Sequence, residues 1–385
     1  MEDKHTMVID TVDDLKRNFT KREIAAADVA RRMYVTLGRP SPDSFENIIR
    51  RGQILNNPVT ISDYRNALTI YGKDLGSIKG KTTRSKPHHV QVESGSPEKL
   101  RIVLSVDSMH FIGINFLITV SRNFRFITAG VLPDRKRVTI FNAIQHVINI
   151  YKGKRHDATS VDFTELNGTI HSILADNEFE SLWEDIEEFG VEVNVTAKEE
   201  HVPEVERQNH VIKERARAII QTLPYRNMPR KMRIGLIYYV VFWLNSVAKE
   251  GQDFSDFSAR DLIFGERKID YNIMCKIPFG TYVQVHDDPS IMKTMDSRTT
   301  GAISLGLTSN IQGTHKFLSL RTGEIIVRRK WTELPVPAEV IDKLDDMTTD
   351  KSDFIDSKDN IEDNATSIED KLEDALPDEP QIQKR

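Results

Sequence analysis

The sequence has one cysteine in 385 residues, Cys275. No disulfide can form within the chain, and no CxxC-type zinc site exists. It has no long apolar run. The most apolar segment, residues 234–247, is too short to span a bilayer and contains Asn245. It predicts a buried helix. The N-terminus, MEDKHTMVIDTVDD, has no apolar h-region, so no signal peptide is expected. The four Asn-x-Ser/Thr sites, at Asn18, Asn167, Asn194 and Asn364, then read as chance matches. The expectation is a nuclear or cytoplasmic protein, not secreted and not bound to a membrane.

Charge is present in both signs but unevenly placed. From Asp342 to Arg385 there are 15 Asp and Glu against 6 Lys and Arg, a net of −9. The preceding 341 residues carry 47 basic and 43 acidic side chains, a net of +4. A mildly basic body with an acidic tail is compatible with a polyanionic partner. Hydrophobic content of 39% and charge of 29% fit a globular protein with disordered parts.

Along the chain, residues 1–20 read as a polar, disordered N-terminus. Residues 21–77 read as a helical module. Ile24, Ala27, Val29, Ala30 and Met33 recur at helical spacing until Pro40-Ser41-Pro42 breaks the pattern. Further helices are expected over residues 44–51 and 60–70, with Thr60 or Ser62 as an N-cap. Residues 78–99 read as a linker rich in Lys, Ser, Pro and Gly. Its Gly80-Lys81-Thr82 resembles the end of a phosphate-binding loop, but Leu75 stands where that loop needs glycine. Lys79, Lys81, Arg84 and Lys86 are candidate nonspecific phosphate contacts.

Residues 100–265 form the expected core. Three apolar, β-branched runs (102–106, 111–120 and 124–132) with short polar breaks predict an antiparallel meander. Asp107 ends the first run, either opening a turn at 107–110 or serving as a ligand. A helix is expected over 138–151, and strands over 156–163 and 169–174 around the Asn167-Gly168 turn pair. Asp176 closes the second of these. An acidic helix over 180–189 and a strand over 191–195 follow. Long helices are expected over 202–222 and 230–248, then a short one over 258–264. Tyr238, Tyr239, Phe242 and Trp243 sit at core spacing. Strands with helices between them make an α/β core.

From Phe279 the pattern turns to period two, and residues 270–338 predict a small β module of about five strands with a hairpin tip at Arg321–Glu324. Arg328, Arg329, Lys330 and Trp331 there are candidate DNA contacts or a solvated strand end. Residues 342–385 read as a disordered acidic tail.

Two predicted strands thus end in Asp107 and Asp176, and neighbouring carboxylates can share one hard divalent ion. The first long helix adds Glu206, Asn209, Lys213 and Arg217 at i, i+3, i+7 and i+11, beside a core stripe of Val205, Ile212, Ala216 and Ile219, with His210 on its flank. Such a face is either plainly solvated or sets a metal ligand beside phosphate contacts.

The ordered series VLSVD…FLITVSRNFRFI, LADNEFE, HVPEVERQNHVIKERARAI, VVFWLNSVAKEG, FGTYVQVH and SLRTGEIIVRRKWTELP resembles the integrase region of a copia-type retrotransposon polyprotein, of the retroviral-integrase-like, ribonuclease H-like superfamily. The resemblance covers roughly residues 100–335, with a weaker echo at 30–81. It implies a ribonuclease H-like core, a mixed five-stranded sheet flanked by helices, with a small N-terminal helical module and a small SH3-like C-terminal β module. It implies a D,D,E triad of Asp107, Asp176 and Glu206 holding Mg²⁺ (or Mn²⁺) for DNA 3′-end processing and strand transfer. Asn209, His210, Lys213 and Arg217 then face DNA, and the active form is expected to be a homo-oligomer.

The sequence departs from the pattern. Asn177-Glu178 replaces the usual glycine pair after the second Asp, and 30 residues separate Asp176 from Glu206, fewer than is usual. Glu204 and Asp162 are the fallback positions for the Glu and the second Asp. Arg39 stands where the family's zinc module has histidine, so no zinc is expected. There is no YxDD signature, aspartic protease or CCHC knuckle, which reads as an integrase-bearing fragment of a longer polyprotein. The competing expectation is a degenerate or co-opted nucleic-acid-binding relative without catalysis.

Overall fold

The structure, a computed structural model, describes residues 11–81, 102–152, 170–175, 177–187, 190–195, 203–248, 257–264, 268–286, 297–308 and 313–349. The N-terminal part is helical: α1 (Val12–Lys16), α2 (Lys21–Thr36), α3 (Pro42–Arg50), α4 (Ile61–Tyr71) and α5 (Leu75–Lys81). Capping explains where they begin. Thr11, Thr20 and Thr60 each accept from the N3 backbone amide, and Asp14, Glu23 and Asp63 bond back, three reciprocal capping boxes. Ser41 caps α3, and Pro42 takes its first turn, where a missing N–H costs nothing. Met33, Tyr34, Phe45, Ile48 and Tyr64 pack as one core; Val29, read as a core position, is 37% exposed.

The order then runs β1 (Ile102–Phe111), β2 (Ile114–Ser121), β3 (Ile127–Leu132), α6 (Arg137–Lys152), β4 (Ile170–Ala175), a 3₁₀ turn at Asn177–Leu182, α7 (Trp183–Glu187), β5 (Glu192–Val195), α8 (Pro203–Ile220), α9 (Arg230–Asn245), α10 (Ala259–Phe264) and α11 (Tyr271–Met274). The five strands form one mixed sheet in the order β3-β2-β1-β4-β5. The β1-β2-β3 meander is antiparallel, and β4 and β5 run parallel to β1. Helices cover both faces, as a sheet with parallel strands requires. Leu104, Val106 and Leu117 point into the cluster of Ile144 and Ile148 on α6, whereas Met109, Phe116 and Ile118 join the cluster of Ile212 on α8 and Leu236 on α9. The edge strand β3 is capped by a side chain: Asn245 accepts from the Ile127 amide at 2.9 Å and donates to its carbonyl at 2.7 Å. This removes a row end that would invite another strand.

A second, all-antiparallel sheet follows, of β6 (Tyr282–His286), β7 (Thr299–Leu307), β8 (His315–Ser319), β9 (Ile325–Arg328) and β10 (Trp331–Glu333), in the order β10-β6-β7-β8-β9. The segment 321–324 is the β8–β9 connection. The last helix is α12 (Ala338–Thr349).

Several boundaries differ from the sequence reading. Residues 11–20, expected to be disordered, include α1. Residues 78–81 belong to α5 rather than to a linker. Gly80, which suggested a linker, is a packing contact, because a Cβ on it would lie 2.4 Å from the Ala218 amide nitrogen on α8; one on Gly76 would lie 2.6 Å from the Ala218 oxygen. Residues 342–349 are helical, since Val340 and Leu344, four apart, bury against the large core while Asp342 and Asp346 face outward. Finally, β1 does not stop at Asp107. It continues to Phe111 and turns at Ile112-Gly113, both at positive φ (42° and 75°), the backbone twist a two-residue hairpin needs. The proposed strand 156–163, the Asn167-Gly168 turn and Asp162 lie outside the described residues.

Candidate active site on β1 and α8

Asp107 lies within β1, opposite Ile118 of β2, its carboxylate half-buried on the face that α8 covers. Its Oδ2 accepts a 2.7 Å hydrogen bond from Asn209 Nδ2. The bond arises from two periodicities. Alternation along β1 turns Asp107 to the same side as Met109 and Phe111. On α8, Asn209 stands four residues after Val205 and three before Ile212, within the buried stripe. Asn209 is therefore only 8% exposed. It was expected on the DNA-facing side with His210, Lys213 and Arg217, but it points inward, because it lies inside the apolar arc of its helix.

The other expected side chains fall as follows. Glu206 is on α8 one turn before Asn209 and is exposed. Asp176 lies outside the described residues; the residue before it, Ala175, pairs in register with Val106, the residue before Asp107. His210 is exposed, with Nε2 3.0 Å from Glu214 Oε1. Lys213 is half-buried, and exposed Arg217 donates from Nε to the Lys213 carbonyl at 3.3 Å. Glu204, the fallback carboxylate, is engaged elsewhere: its Oε1 accepts from Arg122 Nη2 at 2.8 Å and Nε at 3.1 Å. Arg122, just past β2, had no sequence signal beyond its position after an apolar run.

Glu204 Oε2, Gln208 Oε1 and Asn209 Oδ1 are buried without a hydrogen-bond partner among the described residues. Orphaned buried acceptors of this kind are costly. Together with the Asp107 carboxylate, the Asn209 oxygen supplies the hard oxygen chemistry that Mg²⁺ accepts. Among the described residues no group of three or more His, Cys, Asp or Glu is assembled to hold a metal ion.

No family model matches this sequence, and no curated protein sequence matches it. Solved structures do. One is the crystal structure of the catalytic core domain of BIV integrase, 15% identical, with a TM-score of 0.30, over 42% of this chain and 92% of that one. No described helix is long and apolar enough to cross a membrane.

Elsewhere, the echo of a zinc module has different contents. Arg39, at a φ of 53°, buries its guanidinium between Asp74 (Nε–Oδ2, 3.1 Å) and Thr222 (Nη2–Oγ1, 2.8 Å), tying the helical module to the end of α8. Lys81 donates to the Arg39 and Pro40 carbonyls. Its ammonium is half-buried at the helical module and not exposed on a linker, where the nonspecific phosphate contact was expected. Cys275, read as half-buried, is 4% exposed, and burial pushes its thiol up to about 12.

Proposed function

We propose that this chain is a metal-dependent polynucleotidyl transferase of the retrotransposon integrase kind, copia-type, which processes and joins DNA 3′ ends. The observation that carries the reading is the Asn209–Asp107 hydrogen bond, in the setting of a helix-flanked mixed sheet. It brings the buried stripe of α8, with Glu206 one turn away, against the one acidic residue of β1.

In this reading Asp107, Asp176 and Glu206 hold Mg²⁺ or Mn²⁺. Such an ion, when bound, would lower the charge barrier to in-line attack on a phosphodiester. Asn209 fixes the Asp107 carboxylate by donating to its Oδ2. His210, Lys213 and Arg217 contact DNA phosphates along the outer side of α8, a salt-sensitive interaction that reads no sequence. The second sheet acts as an SH3-like module presenting Arg329 and Lys330 to DNA. The expected partners are retroelement ends, target DNA and further copies of the chain, in the nucleus or cytoplasm.

The exposure of Glu206 favours a second reading, DNA binding without catalysis. A strand-joining assay on the full chain with Mg²⁺ or Mn²⁺ separates the two. Joining that disappears in Asp107→Asn and Glu206→Gln, with DNA binding retained, supports the enzyme. Joining unchanged by either substitution overturns the triad. Salt-sensitive binding with no metal-dependent nicking establishes the second reading.

A further inference from the structure

A cavity of about 260 Å³ opens between α2, α4 and α5, in the helical module and apart from Asp107. Its floor is apolar and aromatic, with Tyr34, Tyr64 and Leu68, while Arg31, Lys73 and Lys81 stand around it. The one acid on the lining, Asp74, is already taken: its Oδ2 accepts from Arg39 Nε at 3.1 Å and from the Ser77 amide at 2.7 Å. Arg31 lies 5.1 Å from the Tyr71 ring centroid, and Lys81 Nζ reaches the Arg39 and Pro40 carbonyls. Among the described residues no carboxylate pairs with Arg31, Lys73 or Lys81. Burial, with Arg215 nearby, pushes the Lys81 ammonium down to about 8, against the opposing pull of Glu214 and Asp74.

Two features narrow the ligand. The volume lies just under the roughly 300 Å³ at which ligand pockets usually begin, which suits one small ligand with a single flat ring system. Three cations suit a phosphate monoester, with about −2 charge, better than a carboxylate with one. We propose that this cavity binds a nucleotide, its base on the Tyr34, Tyr64 and Leu68 floor and its phosphate between Arg31, Lys73 and Lys81. The proposal is independent of strand transfer. The nucleotide is either free or the 5′ terminus of a DNA strand, which present the same chemistry.

The test is calorimetric titration of the full chain with dAMP, deoxyadenosine, inorganic phosphate and a 5′-phosphorylated dA hexamer. Saturable binding of dAMP or the hexamer is expected, with deoxyadenosine and inorganic phosphate each weaker by roughly tenfold or more. Lys73→Glu at the rim and Ile78→Trp at the mouth, both at exposed positions, are expected to weaken it by about as much with the melting temperature unchanged. A preference for dAMP identifies the free nucleotide, and one for the hexamer identifies the strand terminus. The proposal is overturned if neither binds, if deoxyadenosine or phosphate alone matches dAMP, or if both variants bind like the parent.

Discussion

The two five-stranded sheets each turn one ionisable side chain into a packed face, and they treat it in opposite ways. Asp107 of the mixed sheet stays half-exposed, bonded to an amide whose own oxygen lacks a partner among the described residues. His315 of the antiparallel sheet is sealed at 1% exposure, its ring 4.6 Å from that of Trp331, with Nδ1 3.1 Å from the Gly313 carbonyl and Nε2 without a hydrogen bond. Burial drives His315 down to about 4, so it is neutral at physiological pH. One sheet leaves its group partly open to solvent; the other silences its group as part of the core. Burial of an ionisable residue therefore does not by itself mark a site. What surrounds it, and whether solvent still reaches it, decides.

The comparison can be broken experimentally. The largest effect is expected from Asp107→Asn, which should reduce metal-dependent joining to background with little loss of stability, because Asn fills the same space. Unfolding instead of inactivity would make Asp107 a structural residue like His315.

The His315 side is a stability prediction. A base whose folded pKa is depressed contributes stability that is full above its unfolded value of about 6.5 and falls as pH drops toward about 4. The loss over that window is roughly 3 kcal/mol at most, at 1.36 kcal/mol per unit. Trp331 fluorescence during denaturant unfolding should report it, and His315→Phe should flatten the profile. A slope unchanged in that variant would assign the pH dependence elsewhere.

Next comes Asn209→Ala, expected to lower joining by about 10–100-fold, as for other residues that orient a metal ligand. Raising Mg²⁺ should restore part of the rate if Asn209 acts through Asp107, and none if the helix has merely shifted. The smallest effect belongs to Arg122→Ala. It removes a partly exposed ion pair with Glu204, worth about 0–1 kcal/mol, and should leave joining near normal. A large loss of joining would promote Glu204 from fallback to participant.

Much of the fold was legible because it is periodic. The meander, α6, α8 and the second sheet follow from alternation at period two or 3.6, which the burial of their apolar faces enforces. The core stripe of α8 (Val205, Ile212, Ala216, Ile219) is buried as read. The geometry of the candidate site was legible in part. Asp107 and the polar face of α8 stand out as polar residues beside apolar runs, whereas the inward turn of Asn209 was missed, because one position of helical phase separates a phosphate contact from a buried amide.

By itself, then, the sequence determined the order and type of the elements around Asp107, since local periodicity and capping are encoded residue by residue. Tertiary structure alone decided that Asp107 sits mid-strand, that Asn209 meets it from α8, and that Gly80 is a helix contact instead of part of a linker. Each of these depends on what lies across a packed interface. A carboxylate, an amide or a glycine has no intrinsic role until its neighbour, far away in the chain, sets the solvent and the space around it.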